Sequence, residues 1–285
     1  MPDVVVLTGF AYHRPESGEE FGGLVRELGS EARILAGGTD LVVQMRNGRL
    51  RPRHVIDIGA LPGINLIEEQ DGFVRIAAGA RVRAVVTRAG ASDDHRALVE
   101  GGSTVGSVQI QNRATIAGNI CNASPAADTV PALLAFRAVV NVAGPEPRSV
   151  PLDEFLIGPG RTALQAGEWV GSLDLPRIGP NGSCYLKLGR TRGVDLAVVG
   201  VACAMTRAQA SLGFASVAPT AFRIDIDAPG DDGELPQEAA DALADRLRPI
   251  DDVRASADYR RSMALLLARR AWRLAYERLR AMEAA

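Results

Sequence analysis

Two glycine-containing segments hold the residue types that can bind a phosphate group through the backbone. The first loop, residues 36–41, reads A-G-G-T-D-L, and the second loop, residues 115–128, reads T-I-A-G-N-I-C-N-A-S-P-A-A-D. Small residues let a backbone approach a ligand closely, and glycine permits turns at positive φ that point several N–H groups one way. One such loop would be weak evidence of a binding site. Two of them, far apart in the sequence, indicate the two sides of a clamp for a diphosphate.

The residues that flank the first loop predict a strand before it and a helix after it. Residues 33–35 are apolar at their end, and residues 41–46 carry apolar side chains on one helical face. At such a turn the N–H groups of Gly37, Gly38 and Thr39 meet at a helix N-terminus, whose positive potential favours an anion. An ordinary tight turn has the same composition, so both interpretations stay open for this loop alone. The chain has neither G-x-G-x-x-G nor G-K-[ST], so neither a Rossmann site nor a P-loop is indicated.

The second loop offers side-chain partners as well as backbone donors. Thr115 has a hydroxyl group, Gly118 allows close backbone approach, and Asn119 can both donate and accept hydrogen bonds. Asp128 ends the loop shortly before residues 131–135, which form an apolar stretch that we interpret as a helix. Helix capping is therefore one role for this carboxylate.

The rest of the chain predicts two structural parts. The first contains helices at residues 17–28 and 82–91 and strands at residues 54–58, 73–80 and 138–142. A stretch rich in Pro, Gly and Asn at residues 176–182 marks the expected boundary. The second part then contains strands at residues 183–188, 197–206 and 212–217, followed by a helix over residues 256–282 whose apolar stripe would be Tyr259, Met263, Leu266, Ala271 and Leu274.

Composition excludes several classes of protein. The 285 residues carry a net charge of −2, which gives no basic field for nucleic acid, and the arginines of the last helix fit a solvated or subunit-facing surface. Residues 1–7 lack the features of a secretory signal, and the longest apolar run, residues 196–205, is too short to span a bilayer. A soluble cytoplasmic protein follows. The scattered Cys121, Cys184, Cys203, His13, His54 and His95 show no metal-ligand spacing, and three cysteines cannot supply the four ligands of a two-iron cluster.

Both loops resemble those of a known family, the FAD-binding subunits of molybdenum hydroxylases such as carbon monoxide dehydrogenase and xanthine dehydrogenase. The resemblance continues through G-S-V-Q-I-Q-N-R at residues 106–113 and Y-L-K-L-G-R at residues 185–190. It reappears in D-D-V-R-A-S-A-D-Y-R-R at residues 251–261. The order and spacing of these motifs hold over nearly the whole chain, so the combination is specific although no single motif would be.

The family resemblance implies an α+β fold. Residues 1–177 would form an FAD-binding domain of the vanillyl-alcohol-oxidase (PCMH) type, with two α/β lobes that meet near residues 55–60. Residues 178–285 would form a smaller domain with a three-stranded sheet and helices. The family usually has glycine where this chain has Ala117. A methyl group at that position could alter the loop conformation or crowd the phosphates.

The resemblance also implies which residues contact FAD. Lys187 matches a flavin-contacting lysine, although a lone lysine is ordinarily a surface charge, and Asp128 would accept a hydrogen bond from the cofactor. Val105 and Val170 match apolar positions that pack on the flavin, for which plain core packing is the alternative. No residue is expected to act as a proton-transfer catalyst or to bind a metal. The expected cofactor-binding residues are Ile34, Leu35, Ala36, Gly37, Gly38, Thr39, Asp40, Leu41, Val105, Thr115, Ala117, Gly118, Asn119, Asp128, Val170 and Lys187.

The implied function is that of the flavin subunit in a multi-chain enzyme. A large partner subunit would hold the molybdopterin cofactor, a small partner subunit would hold two [2Fe-2S] clusters, and electrons would pass through FAD to an external acceptor. A dimer of heterotrimers is expected. Xanthine dehydrogenases carry acidic residues where this chain has R-G-V-D at residues 192–195, so NAD is not inferred as the acceptor. The alternatives are a self-contained flavin oxidoreductase of the same fold and a structural subunit that has lost its flavin.

Overall fold

The fold was derived from a computed structural model, which describes residues 9–90, 93–191, 193–227, 229–230 and 232–284. Residues 1–7, which lack the features of a secretory signal, lie outside the described residues. Ala91, at the predicted end of a helix, and Arg192, in the R-G-V-D run, also lie outside them. Within it, no helix is long and apolar enough to cross a membrane.

The first lobe is a small parallel sheet with two helices. Its strand order is β1-β3-β2, and both neighbouring pairs are parallel. Helix α1 begins after Ser17, whose hydroxyl accepts a hydrogen bond from the N–H of Glu20, and it buries Phe21 and Val25 against the lobe. The predicted strand, turn and helix around the first loop are confirmed. The elements are β1 (Ala11–His13), α1 (Gly18–Leu28), β2 (Ala32–Leu35), α2 (Leu41–Arg46) and β3 (His54–Asp57).

The second lobe is an antiparallel sheet covered by short helices. The strand order is β4-β5-β10-β6-β7, so the last strand in sequence lies at the centre of the sheet. Helix α7 follows the second loop and is buried along its whole length. The elements are β4 (Ile67–Gln70), β5 (Phe73–Ala77), α3 (Val82–Ala89), α4 (Arg96–Ser103), α5 (Val108–Gln111), α6 (Ile116–Cys121), α7 (Val130–Ala135), β6 (Val139–Ala143), β7 (Arg148–Pro151), α8 (Leu152–Phe155), β8 (Leu156–Gly158), β9 (Arg161–Thr162) and β10 (Trp169–Pro176).

The C-terminal part is an antiparallel sheet of four strands in sequence order with two helices. The elements are β11 (Gly182–Leu188), β12 (Val199–Met205), β13 (Gln209–Ala215), β14 (Phe222–Asp227), α9 (Gln237–Arg246) and α10 (Ala257–Glu283). The predicted three-stranded sheet is therefore wrong by one strand. The added strand, β14, reads F-R-I-D-I-D and lies at the sheet edge, where charged side chains alternate with the buried apolar ones. No continuous apolar run marks such an edge strand in the sequence.

Helix α10 is confirmed, and its predicted apolar stripe is right in part. Ala271 is buried and Met263 and Leu274 pack against the core, whereas Tyr259 and Leu266 are exposed and the buried face is rich in alanine. The reason is close packing on the sheet, because a Cβ built on Gly182 would lie 1.8 Å from the carbonyl oxygen of Ala275. Only small side chains fit where a helix approaches a strand so closely.

Candidate functional site

A cavity of about 850 Å³ lies between the two glycine-containing loops. Its volume falls within the range that drug-sized ligands and cofactors occupy in proteins. All three structural parts contribute to its wall, since the first loop comes from the first lobe, the second loop from the second lobe, and residues 194–196 from the C-terminal part. The two loops predicted to form a clamp therefore face the same cavity.

The first loop touches the backbone of the segment that leads into the second loop. A Cβ built on Gly37 would lie 2.2 Å from the carbonyl oxygen of Arg113 and 2.9 Å from the Cα of Ala114. No side chain fits in that space, so glycine is required at position 37 for the observed approach. The side chains also connect the loops, because Asn122 Nδ2 donates to Asp40 Oδ1 at 3.2 Å and Gln44 Nε2 donates to Asn122 Oδ1 at 3.4 Å.

The first loop presents backbone donors that have no acceptor within the described part of the chain. Gly38 has a φ of +76°, and the chain turns there into α2. Among the hydrogen bonds of the described residues, none is donated by the backbone N–H of Gly37, Gly38, Thr39 or Asp40, all of which line the cavity. Unpaired N–H groups at the start of a helix are the donor set that a phosphate group accepts from. The donor chemistry of this loop therefore fits the diphosphate of a dinucleotide.

The second loop is fixed by its own hydrogen bonds. Thr115 caps α6, because its hydroxyl accepts from the N–H of Gly118 at 3.0 Å, and Asn119 Oδ1 accepts from the hydroxyl of Thr129 at 2.6 Å. The N–H of Ile116 donates to Ala80, which attaches the loop to the turn after β5. Ala117 lies in the first turn of α6 and is buried in the core. Its methyl group therefore packs inward and does not line the cavity.

Asp128 and Lys187 form a buried ion pair at the edge of the cavity. Lys187 Nζ donates to Asp128 Oδ2 at 2.8 Å and to the carbonyl of Thr104 at 3.3 Å, and the Tyr185 hydroxyl donates to Asp128 Oδ1 at 2.7 Å. The side chains of Lys187 and Asp128 are only 12% and 7% exposed. Lys187 is thus not a surface charge, and Asp128 does not cap α7, whose N-cap residue is Thr129.

The surroundings of the ion pair oppose ionisation of Asp128 and of the neighbouring Tyr185. Burial raises the pKa of Asp128, although the hydrogen bond and charge of Lys187 act to lower it. Burial and the neighbouring carboxylate also raise the pKa of Tyr185 well above its usual value. Tyr185 therefore remains a hydrogen-bond donor to Asp128 at any ordinary pH. A Cβ on Gly200 would lie 2.7 Å from the tyrosine oxygen, so this glycine makes room for the hydroxyl group.

The rim of the cavity is formed by the segment before β12. Asp195 lines the cavity and accepts a hydrogen bond from the backbone N–H of Arg190 at 2.9 Å, and the contacts with Arg190 lower the pKa of Asp195. Its neighbours Val194 and Leu196 are 70% and 57% exposed.

Within the second loop, burial raises the pKa of the Cys121 thiol to about 12, so the thiol is protonated at neutral pH and is a poor nucleophile.

The cavity brings together most of the residues that the sequence singled out. Four lie off its lining, namely Leu35 in β2, Ala117 and Val170 in the core, and Lys187 behind Asp128. Sequence reasoning missed Tyr185, Asn122 and Asp195 as individual site residues. The signal for Tyr185 was present, because it stands two positions before Lys187 in a strand and so on the same face. The lining residues from the prediction are Ile34, Ala36, Gly37, Gly38, Thr39, Asp40, Leu41, Val105, Thr115, Gly118, Asn119 and Asp128.

Comparison with known proteins gives two family matches that together span most of the chain. Residues 8–178 match the FAD binding domain in molybdopterin dehydrogenase, and residues 184–275 match the CO dehydrogenase flavoprotein C-terminal domain. The chain is 32% identical to the carbon monoxide dehydrogenase medium chain of Hydrogenophaga pseudoflava over 281 residues, which are 94% of this chain and 98% of that one. It is 31% identical to the xanthine dehydrogenase FAD-binding subunit of Escherichia coli O157:H7 over 204 residues, 68% of this chain and 69% of that one.

A solved structure has the same fold. Carbon monoxide dehydrogenase from Hydrogenophaga pseudoflava aligns with a TM-score of 0.87 at 30% identity, covering 96% of this chain and 99% of the matched chain. These comparisons confirm the family predicted from the motifs. The chain belongs to the FAD-binding medium subunits of the molybdenum hydroxylase family.

Proposed function

We propose that this chain, as a member of that family, binds FAD in the cavity between the first and second loops. The observation that carries the proposal is the set of unused N–H groups on the first loop, which faces the second loop across the cavity. The N–H groups of residues 37–40 would hold the diphosphate, and the 12 predicted residues that line the cavity would surround FAD, with Lys187 behind Asp128. We further propose that residues 1–177 form the FAD-binding domain and residues 178–285 the C-terminal domain.

The protein's own residues would bind and tune the cofactor, and the bound flavin would supply the redox chemistry. Asp128, held by Tyr185 and Lys187, would accept a hydrogen bond from the cofactor at one end of the cavity. The ammonium group of Lys187 would add positive charge behind that carboxylate. A buried ion pair close to a redox group shifts the relative stability of its charge states, because the surrounding dielectric is low.

The chain would work only as part of a larger complex. Three cysteines cannot supply the four ligands of a two-iron cluster, and Cys184 and Cys203 lie opposite each other within β11 and β12. We place two [2Fe-2S] clusters in a small partner subunit and the molybdopterin cofactor in a large one, within a cytoplasmic dimer of heterotrimers. The organic substrate would be oxidised in the large subunit, and an external acceptor would receive the electrons from the flavin subunit.

Binding of the diphosphate can be tested at Gly38 with two substitutions of equal size. Aspartate and asparagine are both residue types that adopt a positive φ more readily than most others, and their side chains have the same size but differ in charge. A carboxylate at this position would repel the diphosphate, so Gly38→Asp should lose FAD while Gly38→Asn keeps measurable binding. The readout is the FAD dissociation constant of each purified chain, obtained by fluorescence titration. Equal affinity of the two variants would contradict the placement of the diphosphate on this loop.

The need for partner chains can be tested with the chain alone. The purified chain loaded with FAD is mixed anaerobically with N-heterocycles, aldehydes, purines or carbon monoxide, and the flavin absorbance is followed. We expect no bleaching by any of these compounds, whereas dithionite should bleach the flavin and so proves that it can be reduced. Substrate-dependent bleaching would instead favour the self-contained flavin oxidoreductase.

A further inference from the structure

The motif at residues 251–260 forms a buried charge cluster away from the cavity lining. Asp252 accepts a hydrogen bond from Arg254 Nη2 at 2.6 Å and another from Arg260 Nη2 at 2.7 Å. Arg260 is only 2% exposed, and about a fifth of Arg254 and of Asp252 is exposed. A buried guanidinium is costly unless it is paired and fully hydrogen-bonded. Apart from the buried Nε of Arg260, which has no acceptor among the described residues, the other donors of the two arginines show which segments the cluster holds in place.

Both arginines reach out of the cluster to backbone carbonyls of the segment before β12. Arg254 Nη1 donates to Ala197 at 3.2 Å, and Arg260 Nη1 donates to Val198 at 2.8 Å. The hydroxyl of Ser216 donates to the same carbonyl of Ala197 at 2.9 Å. Three side chains thus fix two consecutive peptide groups. Residues 194–196, which line the cavity, come immediately before these two groups.

The same cluster also reaches the second loop through Ser216. Arg260 Nη1 donates to the Ser216 carbonyl at 3.0 Å, and the Ser216 N–H donates to the carbonyl of Pro125 at 2.7 Å. Ser216 has a φ of +66°, a conformation that a residue with a side chain keeps only when its surroundings hold it. Ser124 and Ala126, the neighbours of Pro125, both line the cavity. Two separate parts of the cavity wall are therefore attached to one arginine.

We propose that Asp252, Arg254 and Arg260 are positioning residues for the flavin cavity. They fix the rim at residues 194–198 and the middle of the second loop before the cofactor binds. The inference rests on the proposed function, since it assumes that the cavity takes FAD. A preordered wall raises affinity because less conformational freedom is lost on binding. A loosened rim should therefore weaken FAD binding without any change in the groups that touch the cofactor.

The test is Arg254→Met in the full-length chain, with Arg261→Met as the matched control. Methionine keeps much of the apolar stem but cannot donate to Ala197 or Asp252. Arg261 lies in the first turns of α10, and its ion pair with Asp258 is exposed and outside the cluster. For Arg254→Met we expect faster amide exchange over residues 194–198 in the FAD-free chain and about a two- to thirtyfold weaker FAD affinity. Arg261→Met should change neither quantity.

A second variant, Arg260→Lys, keeps the positive charge near Asp252. An ammonium group cannot reproduce the fork that reaches Asp252 and two carbonyls, so its effects should have the same direction. Unchanged exchange at residues 194–198, or unchanged FAD affinity well below the melting temperature, would overturn the inference even if thermal stability fell. If the wild-type chain showed no FAD binding, the proposed function would be refuted. Amide exchange over residues 194–198 would still decide whether the cluster holds the rim.

Discussion

Gly37→Ala is the substitution whose effect follows most directly from the structure. The added Cβ would lie 2.2 Å from the carbonyl oxygen of Arg113. A carbon–oxygen contact needs about 3.3 Å, so the first loop would have to move away from Arg113 by roughly 1 Å. The neighbouring residues cannot yield easily, because the N–H groups of Arg113 and Ala114 both donate to Ile110 and the Ala114 carbonyl accepts from Val82.

The size of the effect can be estimated from this clash. Overpacking of a well-packed site costs about 1–3 kcal/mol, which we expect as a loss in the free energy of unfolding. The same movement separates the N–H groups of the first loop from the second loop. If the whole of that energy acts on binding, the FAD dissociation constant rises about five- to 150-fold.

The assay compares chemical denaturation and FAD titration of the wild type, Gly37→Ala and Gly23→Ala. Gly23 is the control, because it lies in α1 of the same lobe and its added Cβ would meet open space. Alanine in a helix is favoured over glycine by about 0.5–1 kcal/mol, so this variant should be slightly more stable and bind FAD normally. Wild-type stability and affinity in Gly37→Ala would show that the two backbones do not approach as described.

Three further predictions concern buried polar groups. Lys187→Ala leaves Asp128 buried without its cation, so stability should fall by about 3–5 kcal/mol in denaturation experiments, and spectroelectrochemistry should detect a shifted flavin potential. Tyr185→Phe removes one donor to Asp128, which should cost about 1–3 kcal/mol in the same assay and weaken FAD retention. Burial lowers the pKa of His95, so the unfolded chain binds a proton more readily. Stability should therefore decrease as the pH falls from about 6.5 towards the lower folded-state pKa, and His95→Gln should flatten this dependence in melting curves at several pH values.

Features set by neighbouring residues could be predicted from the sequence. The first loop with its flanking strand and helix depends on apolar spacing and on glycine within about a dozen residues, and the structure has the same elements. The long helix after Ser256 is equally local, since that hydroxyl caps it through the N–H of Tyr259. The family motifs then supplied the function, which the pattern of a single loop leaves open.

Individual contacts between residues that are distant in the sequence could not be predicted. The family motifs indicate Asp128 and Lys187 as two separate cofactor contacts. Nothing in their local sequence indicates that they pair with each other across 59 positions. The buried face of α10 is predicted only in part, because alanine is the right residue only where the sheet comes very close, as Gly182 allows. The sequence predicts Arg260 on a solvated or subunit-facing helix surface, whereas its partners lie at residues 198, 216 and 252.

The two sequence domains are interlocked around α7, so the FAD-binding part is incomplete without the C-terminal part. A Cβ built on Gly213 of β13 would lie 2.0 Å from the carbonyl oxygen of Pro131 in α7, which shows how closely the C-terminal sheet covers this helix. Every residue of α7 is buried, and Asp128 just before it takes both of its donors from β11. Removal of the C-terminal part would expose an apolar helix and would take away both hydrogen-bond donors of Asp128. The wall of the cavity proposed to bind FAD is therefore formed by both parts of the chain, although the two loops proposed to hold the diphosphate lie within the first 128 residues.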